Sequence, residues 1–245
     1  MGAEVTTVRR NQGERIFYVG MACAIAVSVF VGFARTYFLA AWMDAPPGVL
    51  TKTPLVHLHG ALFTGWITLL LVQTGLVAGG RTDLHRKLGM FGAAVAAAMV
   101  VVGTLTAING LARGAGPPGI PPRQFLAIPL FDMVVFAALV TAGIRARRDP
   151  QTHKRLMLLA TIGILAAAIA RWPLAIMQTG PIAFFGINDL FLLPLLAFDL
   201  ATRGRVHRAT LVGALVILIS QPLRLAISGT GAWLWFADLA VSLVR

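Results

Sequence analysis

The chain alternates between long apolar runs and short polar loops. Seven runs, near residues 16–43, 54–79, 88–111, 124–146, 155–178, 182–202 and 208–228, are nearly free of charge. Each provides the ~20 helical residues needed to cross a ~30 Å hydrocarbon layer. The runs are continuous and lack period-two alternation, which argues against the strands of a barrel. The pattern predicts an all-α membrane protein with seven transmembrane helices in one domain. Residues 1–15 form a polar segment before the bundle of 16–228, and 230–245 form a terminal piece too short to span. In that piece Asp238, Ser242 and Arg245 fall at i, i+4 and i+7, with Trp233, Leu234, Ala237 and Val241 elsewhere. This predicts a short amphipathic helix at the external interface, anchored by Trp233 and Trp235.

The loops set an orientation. Arg9, Arg10 and Arg15 precede the first run. Arg81, Arg86 and Lys87 join the second and third. Arg145, Arg147, Arg148, Lys154 and Arg155 join the fourth and fifth, and Arg203, Arg205 and Arg208 the sixth and seventh. The alternate loops carry only Lys52, Arg113 and Arg123. That asymmetry predicts a cytoplasmic N-terminus and an external C-terminus. The polar N-terminus and long first run do not fit a cleavable signal peptide. The external loop Gly114 to Pro122 is rich in proline and is expected to be stiff and non-helical.

Composition agrees. Of 245 residues, 58% are hydrophobic and 12% charged, and the mean hydropathy is +0.81. A soluble domain is nearer half apolar and a quarter charged. The net charge of +12 would suggest nucleic acid in a soluble protein. Here the bases sit in membrane-flanking loops, so membrane lipids are the expected partners and nucleic acid is not. The basic set is 18 Arg and 3 Lys beside much Ala and Gly, which suggests a GC-rich bacterial genome and hence a bacterial inner membrane. Cys23 is the lone cysteine, so an intrachain disulfide, a CxxC pair and a thiolate zinc cluster are excluded.

A repeat runs through the loops. Leu84-His85-Arg86-Lys87, Thr152-His153-Lys154-Arg155 and Val206-His207-Arg208 open the third, fifth and seventh runs. The fifth and seventh also end alike, at Ala170-Arg171-Trp172-Pro173-Leu174 and Ser220-Gln221-Pro222-Leu223-Arg224. The expected architecture is one leading helix and three helical hairpins, and repeats of this kind often place a site at their interface. Gly75 and Gly79 form a GxxxG, and Ala93 to Ala98 and Ala166 to Ala168 supply further small surfaces for close packing.

The chemistry is expected where charge lies deep. Arg35, Asp132, Arg171, Asp189 and Arg224 lie inside apolar runs, about 6–12 Å below the external ends of their helices. His57 and His59 begin the second run at that side, with Asn188 and Gln221 nearby. No comparable set is visible in the cytoplasmic halves, where Asp199 sits near the very end of the sixth run. A charge in lipid costs at least ~2.5–3.5 kcal/mol, so these groups should face the interior and each other. One reading is a shared polar pocket that clamps an anionic or carbonyl-bearing headgroup through arginine forks, walled by Trp66, Trp172, Phe184 and Phe185. The other is structural stapling, with Asp132 pairing Arg171 and Asp189 pairing Arg224. The pocket is preferred because intramembrane ionisable residues default to function and Arg35 is left over.

Histidines offer metal or haem as alternatives. His57 and His59 lie ~200° apart on a regular helix and share an ion only at a frayed start. A hydrogen-bonded pair at the pocket rim is the preferred reading, and a haem would need histidines on facing helices at matching depth. His85, His153 and His207 are level with one another at the opposite end, but each is embedded in basic residues that repel a cation. Contact with lipid phosphates suits them better. Retinal is excluded because no apolar run contains a lysine to form the Schiff base. GxSxG, HExxH and P-loop motifs are lacking, and the GxGxxG letters at Gly114, Gly116 and Gly119 follow no strand.

Val56-His57-Leu58-His59-Gly60-Ala61-Leu62-Phe63-Thr64-Gly65-Trp66, Leu71-Val72-Gln73-Thr74 and Arg81-Thr82-Asp83-Leu84-His85-Arg86-Lys87-Leu88-Gly89 resemble a group of uncharacterised bacterial polytopic inner-membrane proteins. His153 to Ala160, Ala170 to Met177 and Ser220 to Ala226 are similar to the same group. The resemblance implies a multi-helix inner-membrane fold and no activity or site residue. The expected function is binding of a small amphiphilic or anionic ligand, of lipid, quinone or terpenoid type, in the external half. Arg171 and Arg224 would be the clamps, Asp132 and Asp189 their orienting partners, and His57 and His59 the rim. The alternatives are a haem- or metal-dependent redox protein and an accessory subunit of a larger membrane complex.

Overall fold

The structure is a computed structural model that describes residues 2–44, 52–117 and 119–244, with residues 2–11 described in backbone only. Residues 45–51 in the loop before α2, together with Pro118 and Arg245, lie outside the described residues. The elements are helices: α1 (Gly2–Phe33), a π turn (Ala34–Phe38), α2 (Pro54–Ala78), α3 (Thr82–Ala112), α4 (Pro122–Phe125), α5 (Ala127–Arg145), α6 (Pro150–Ile169), a 3-10 turn (Ala175–Thr179), α7 (Pro181–Leu190), α8 (Leu192–Arg203), α9 (Arg208–Ser228) and α10 (Gly231–Ser242). No strand occurs among the described residues. Seven stretches are long and apolar enough to cross a membrane: Gln12–Phe38, Pro54–Ala78, Thr82–Ala112, Pro122–Arg145, Pro150–Ile169, Pro181–Arg203 and Arg208–Ser228. Large apolar side chains such as Met90, Val101, Val134, Ile182 and Ile219 stand exposed around the outside. A water-facing surface does not carry so many, so the chain is a multi-pass membrane protein.

Proline fixes most boundaries. Pro54, Pro122, Pro150 and Pro181 open helices, where a missing N–H costs nothing. Thr53 and Asp149 cap the first turns of α2 and α6. The fifth span ends at Ile169 rather than 178, because Pro173 disfavours helix in the residue before it. Arg171 and Trp172 therefore sit in the turn beyond α6. Pro194 breaks the sixth span into α7 and α8 around Phe191, since it cannot donate to the carbonyl one turn back. Pro222 stays inside α9.

The two ends of the bundle are marked by contacts. At the amino-terminal end Arg15 reaches the carbonyl of Ala78, Glu14 meets Lys154, and Asp199 meets Arg155. At the opposite end Trp172 donates to Ser28 O (3.1 Å) and Trp233 to Arg123 O (2.8 Å). Helix α6 is the centre of the core and packs against α1, α5, α7 and α9. The closest approach to it is at Gly32, where an added Cβ would fall 2.2 Å from Ala168 O. The small residues of α6 thus serve as expected. The GxxxG does not: Gly75 has open space where its Cβ would stand.

Candidate functional site

The deep charged residues fall into two groups. In the first, Arg224 is fully buried and ion-paired with Asp132. Its Nη1 also donates to Ile128 O (3.3 Å). Its Nε donates to Ser220 O (3.1 Å) and its Nη2 to Ser220 Oγ (2.8 Å). The faces of Phe185 and Phe131 lie 5.2 and 5.8 Å from the guanidinium. Asp189 accepts from Gln221 Nε2 at 2.7 Å, and Asn188 is buried beside it with Oδ1 unpartnered.

Both expected pairings are therefore corrected: Asp132 pairs with Arg224 rather than Arg171, and Asp189 takes the Gln221 amide rather than Arg224. Depth separates Asp132 from Arg171, and Arg224, once paired with Asp132, is not left for Asp189. Counted along each span from the helix ends that lie at the amino-terminal end of the bundle (Arg145, Arg208 and Pro150), Asp132 stands at about 20 Å and Arg224 at about 24 Å, whereas Arg171 stands at about 32 Å, past the end of α6. Asp189, at about 21 Å, is level with Gln221 at about 20 Å.

The second group lies where the π turn, the start of α2 and the turn after α6 meet. Arg171 is exposed, donates Nη1 to Ala167 O, and lies 4.9 Å over the Phe33 ring. Among the described residues its other donors have no hydrogen-bond or ion-pair partner. His59 lies within electrostatic reach of Arg171, stacks on Phe63 at 4.1 Å, and has a buried Nδ1 without a partner. Thr36 Oγ1, in the π turn, is also buried and unpartnered. Tyr37 OH and His57 Nδ1 hydrogen-bond at 3.1 Å, and Tyr37 packs onto Gly60, whose absent side chain makes the room. Arg35 turns outward to Asp44 O through Nε (3.3 Å) and Nη2 (3.2 Å). Among the described residues no hydrogen bond or ion pair joins this group to the first.

The aromatic walls divide too. Trp66 is buried, but its Nε1 donates to Thr161 Oγ1 (3.1 Å) and its ring meets Phe136 edge-on, so it is a core residue deeper than the rim. Trp172 ties the turn after α6 to α1. Among the described residues no three His, Cys, Asp or Glu are grouped to hold a metal. His85 and His153 meet, ring centroids 6.2 Å apart, with His153 Nδ1 on Gly143 O (2.8 Å). His207 instead accepts from Ala209 N (3.1 Å) and caps its own helix.

Sequence reasoning missed the most buried charge of all. Arg155 and Asp199 are both fully buried and paired near the amino-terminal end. Asp199 also accepts from Thr210 Oγ1 (2.6 Å) and His207 N (3.0 Å). Arg155 Nη1 donates to Gln151 O (2.9 Å) and Oε1 (2.7 Å). The basic loop expected between the fourth and fifth runs does not include Arg155. The Asp149-Pro150 start signal puts it in the second turn of α6, in line with Leu158, Leu159 and Ile162 at i+3, i+4 and i+7. Comparison with protein-family models, with characterised proteins and with solved structures finds no match to this chain.

Proposed function

We propose that this protein holds the polar head of a small amphiphile, of lipid, quinone or terpenoid type, at the rim formed by Arg171, His59, His57, Tyr37 and Thr36. One observation carries the reading: a guanidinium with free donors lies within electrostatic reach of His59, whose buried Nδ1 has no partner, and Thr36 Oγ1 in the π turn is likewise buried and unpartnered. Buried polar groups are nearly always hydrogen-bonded, so orphans mark a place for a ligand or water. The π turn supports it, since such turns recur at functional sites. Arg171 is the anion or carbonyl donor, with Arg35 at the outer edge. Arg224 and Asp132, with Asp189, Gln221 and the Phe185 wall, form the rigid support behind it rather than a second clamp. The chain is read as one domain of a leading helix and three hairpins in a bacterial inner membrane. In that reading the N-terminus is cytoplasmic, the rim lies in the external half, and α10 lies along the external interface through Trp233 and Trp235.

The test is extraction and mass spectrometry of amphiphiles that copurify with the protein in mild detergent. A species retained by wild type should be lost at least tenfold in Arg171→Gln and in His59→Ala, and kept in Arg147→Gln. Retention that is equal in all four proteins, or no retained amphiphile, removes the proposal.

A further inference from the structure

The amino-terminal end carries a polar hollow, far from the rim. It has a volume of about 370 Å³ and is lined by Glu14 of α1, Gln151 and Arg155 of α6, and Thr202, Arg203 and Arg205 around the end of α8. Its floor is rigid. Arg155 is locked between Asp199 and Gln151, and Gln151 Nε2 in turn donates to Glu14 (3.4 Å). Both carboxylates are already paired, Asp199 with Arg155 and Glu14 with Lys154.

The mouth is different. Arg203 and Arg205 have no hydrogen-bond or ion-pair partner among the described residues. Gly204 between them takes the left-handed conformation (φ 68°), the usual glycine end of a helix, and both arginines line the hollow. The field of Arg203 reaches Lys154 and His207. Four cations, Lys154, Arg155, Arg203 and Arg205, thus face two carboxylates, so the hollow has an excess of positive charge. Its depth is that of a headgroup layer, since spans begin at Gln12 and end at Arg203 on this side.

We propose that this hollow binds a phosphate group, carried by an anionic lipid or by a soluble phosphate compound. Arg203 and Arg205 are the fork donors, and the Arg155–Asp199–Gln151 set is the fixed floor that holds the mouth in shape. Paired N–H donors of arginine match phosphate oxygens in a way that diffuse surface charge does not. The inference does not depend on the rim at the opposite end, and either site can fail alone.

The experiment uses the full chain in phosphatidylcholine nanodiscs with a minor share of phosphatidylglycerol, read by native mass spectrometry. Wild type should retain one phosphatidylglycerol through delipidation. R203Q/R205Q should reduce its occupancy at least tenfold, while R147Q/R148Q, which removes two exposed arginines from the same end, leaves it unchanged. A parallel arm measures Tm in phosphatidylcholine alone, with inorganic phosphate or with chloride at equal ionic strength. A phosphate-dependent rise in wild type that R203Q/R205Q abolishes assigns a soluble ligand. Retention of phosphatidylglycerol without such a rise assigns the lipid. Equal losses in the two double variants, or neither retention nor a rise, overturn the proposal. If R203Q/R205Q fails to fold, R205Q, which changes only the turn outside both helices, makes the same comparison.

Discussion

Arg171 and Arg224 occupy matching places in similar sequences, yet one guanidinium has four of its five donors filled and the other is open. Each lies two residues from a proline near the far end of its helix, Pro173 and Pro222. Order decides the outcome. Arg171 precedes its proline and is carried out of α6 when the helix stops at Ile169. Arg224 follows a proline that α9 absorbs, so it stays helical and points into the core at Asp132. A guanidinium held on four sides by its own fold is a structural element. One that leaves donors unfilled is the group that the proposed function assigns to a ligand.

Breaking the paired member should have the largest effect. Asp132→Ala leaves Arg224 buried and uncompensated, and losses of about 3–5 kcal/mol are typical when one partner of a buried pair is removed. Denaturant titration in detergent should show that loss. Asp132→Ala/Arg224→Leu should recover a large part of it, because the unpaired charge is gone. If the double variant is as unstable as the single, Arg224 is held by something other than its charge partner.

Next in size is the close approach that sets the open group in place. Gly32 lies against the backbone of Ala168, next to the Arg171 turn. Gly32→Val must push α1 from α6, and overpacking of this kind costs about 1–3 kcal/mol. It should also shift Phe33 from beneath Arg171. A variant as stable as wild type would mean that α1 and α6 part here at no cost.

Arg171→Gln sharpens the contrast from the other side. The group is exposed and has one hydrogen bond, to its own helix, so its stability effect should stay below about 1 kcal/mol. Amphiphile retention should nevertheless fall at least tenfold. A large loss of stability would show that Arg171 is a staple, like Arg224, and would erase the distinction between them.

How far the sequence reveals these groups depends on what kind of fact each is. Spans follow from hydrophobic length, which is local, and the seven stretches appear with ends shifted by a few residues, except the fifth, which stops nine residues early. Depth along a helix is also local, and it does select Asp132, Arg224, Asp189 and Arg171 as unusual. Pairing is not local. Whether Asp132 meets Arg171 or Arg224 turns on where α6 stops and on α5 packing against α9, and a helix end displaced by nine residues moves a side chain by about 13 Å. Arg155 was hidden for the converse reason. A rule that assigns basic residues near span ends to loops misses one that the start of α6 has already turned inward. The two unpartnered atoms at the rim have no signature in sequence, since an orphan is defined by what its neighbours fail to offer.

A smaller effect than the tenfold loss of ligand expected for Arg171→Gln belongs to the boundary that buries Arg155. Asp149 caps α6: its Oδ1 accepts from Gln151 N (3.0 Å) and Thr152 N (3.3 Å), and its Oδ2 accepts from Thr152 Oγ1 (2.6 Å). These bonds, the Thr152 hydroxyl foremost, favour the charged form and hold the Asp149 carboxyl below its ordinary range. A carboxyl whose folded value is depressed stabilises the fold at pH above its unfolded value. That contribution fades as pH falls toward the folded value, because the unfolded chain takes up the proton first. Asp149→Ala should therefore cost about 1 kcal/mol at neutral pH, the usual size of an N-cap. Mutant and wild type should converge in acid. The contrast with Asp132→Ala is then one of kind. A cap on the surface is lost by degrees and titrates away, whereas the buried pair fails at once when either member is removed. If the Asp149→Ala deficit were independent of pH, the cap would act through backbone shape rather than charge. The start of α6, and with it the inward turn of Arg155, would then rest on Pro150 alone.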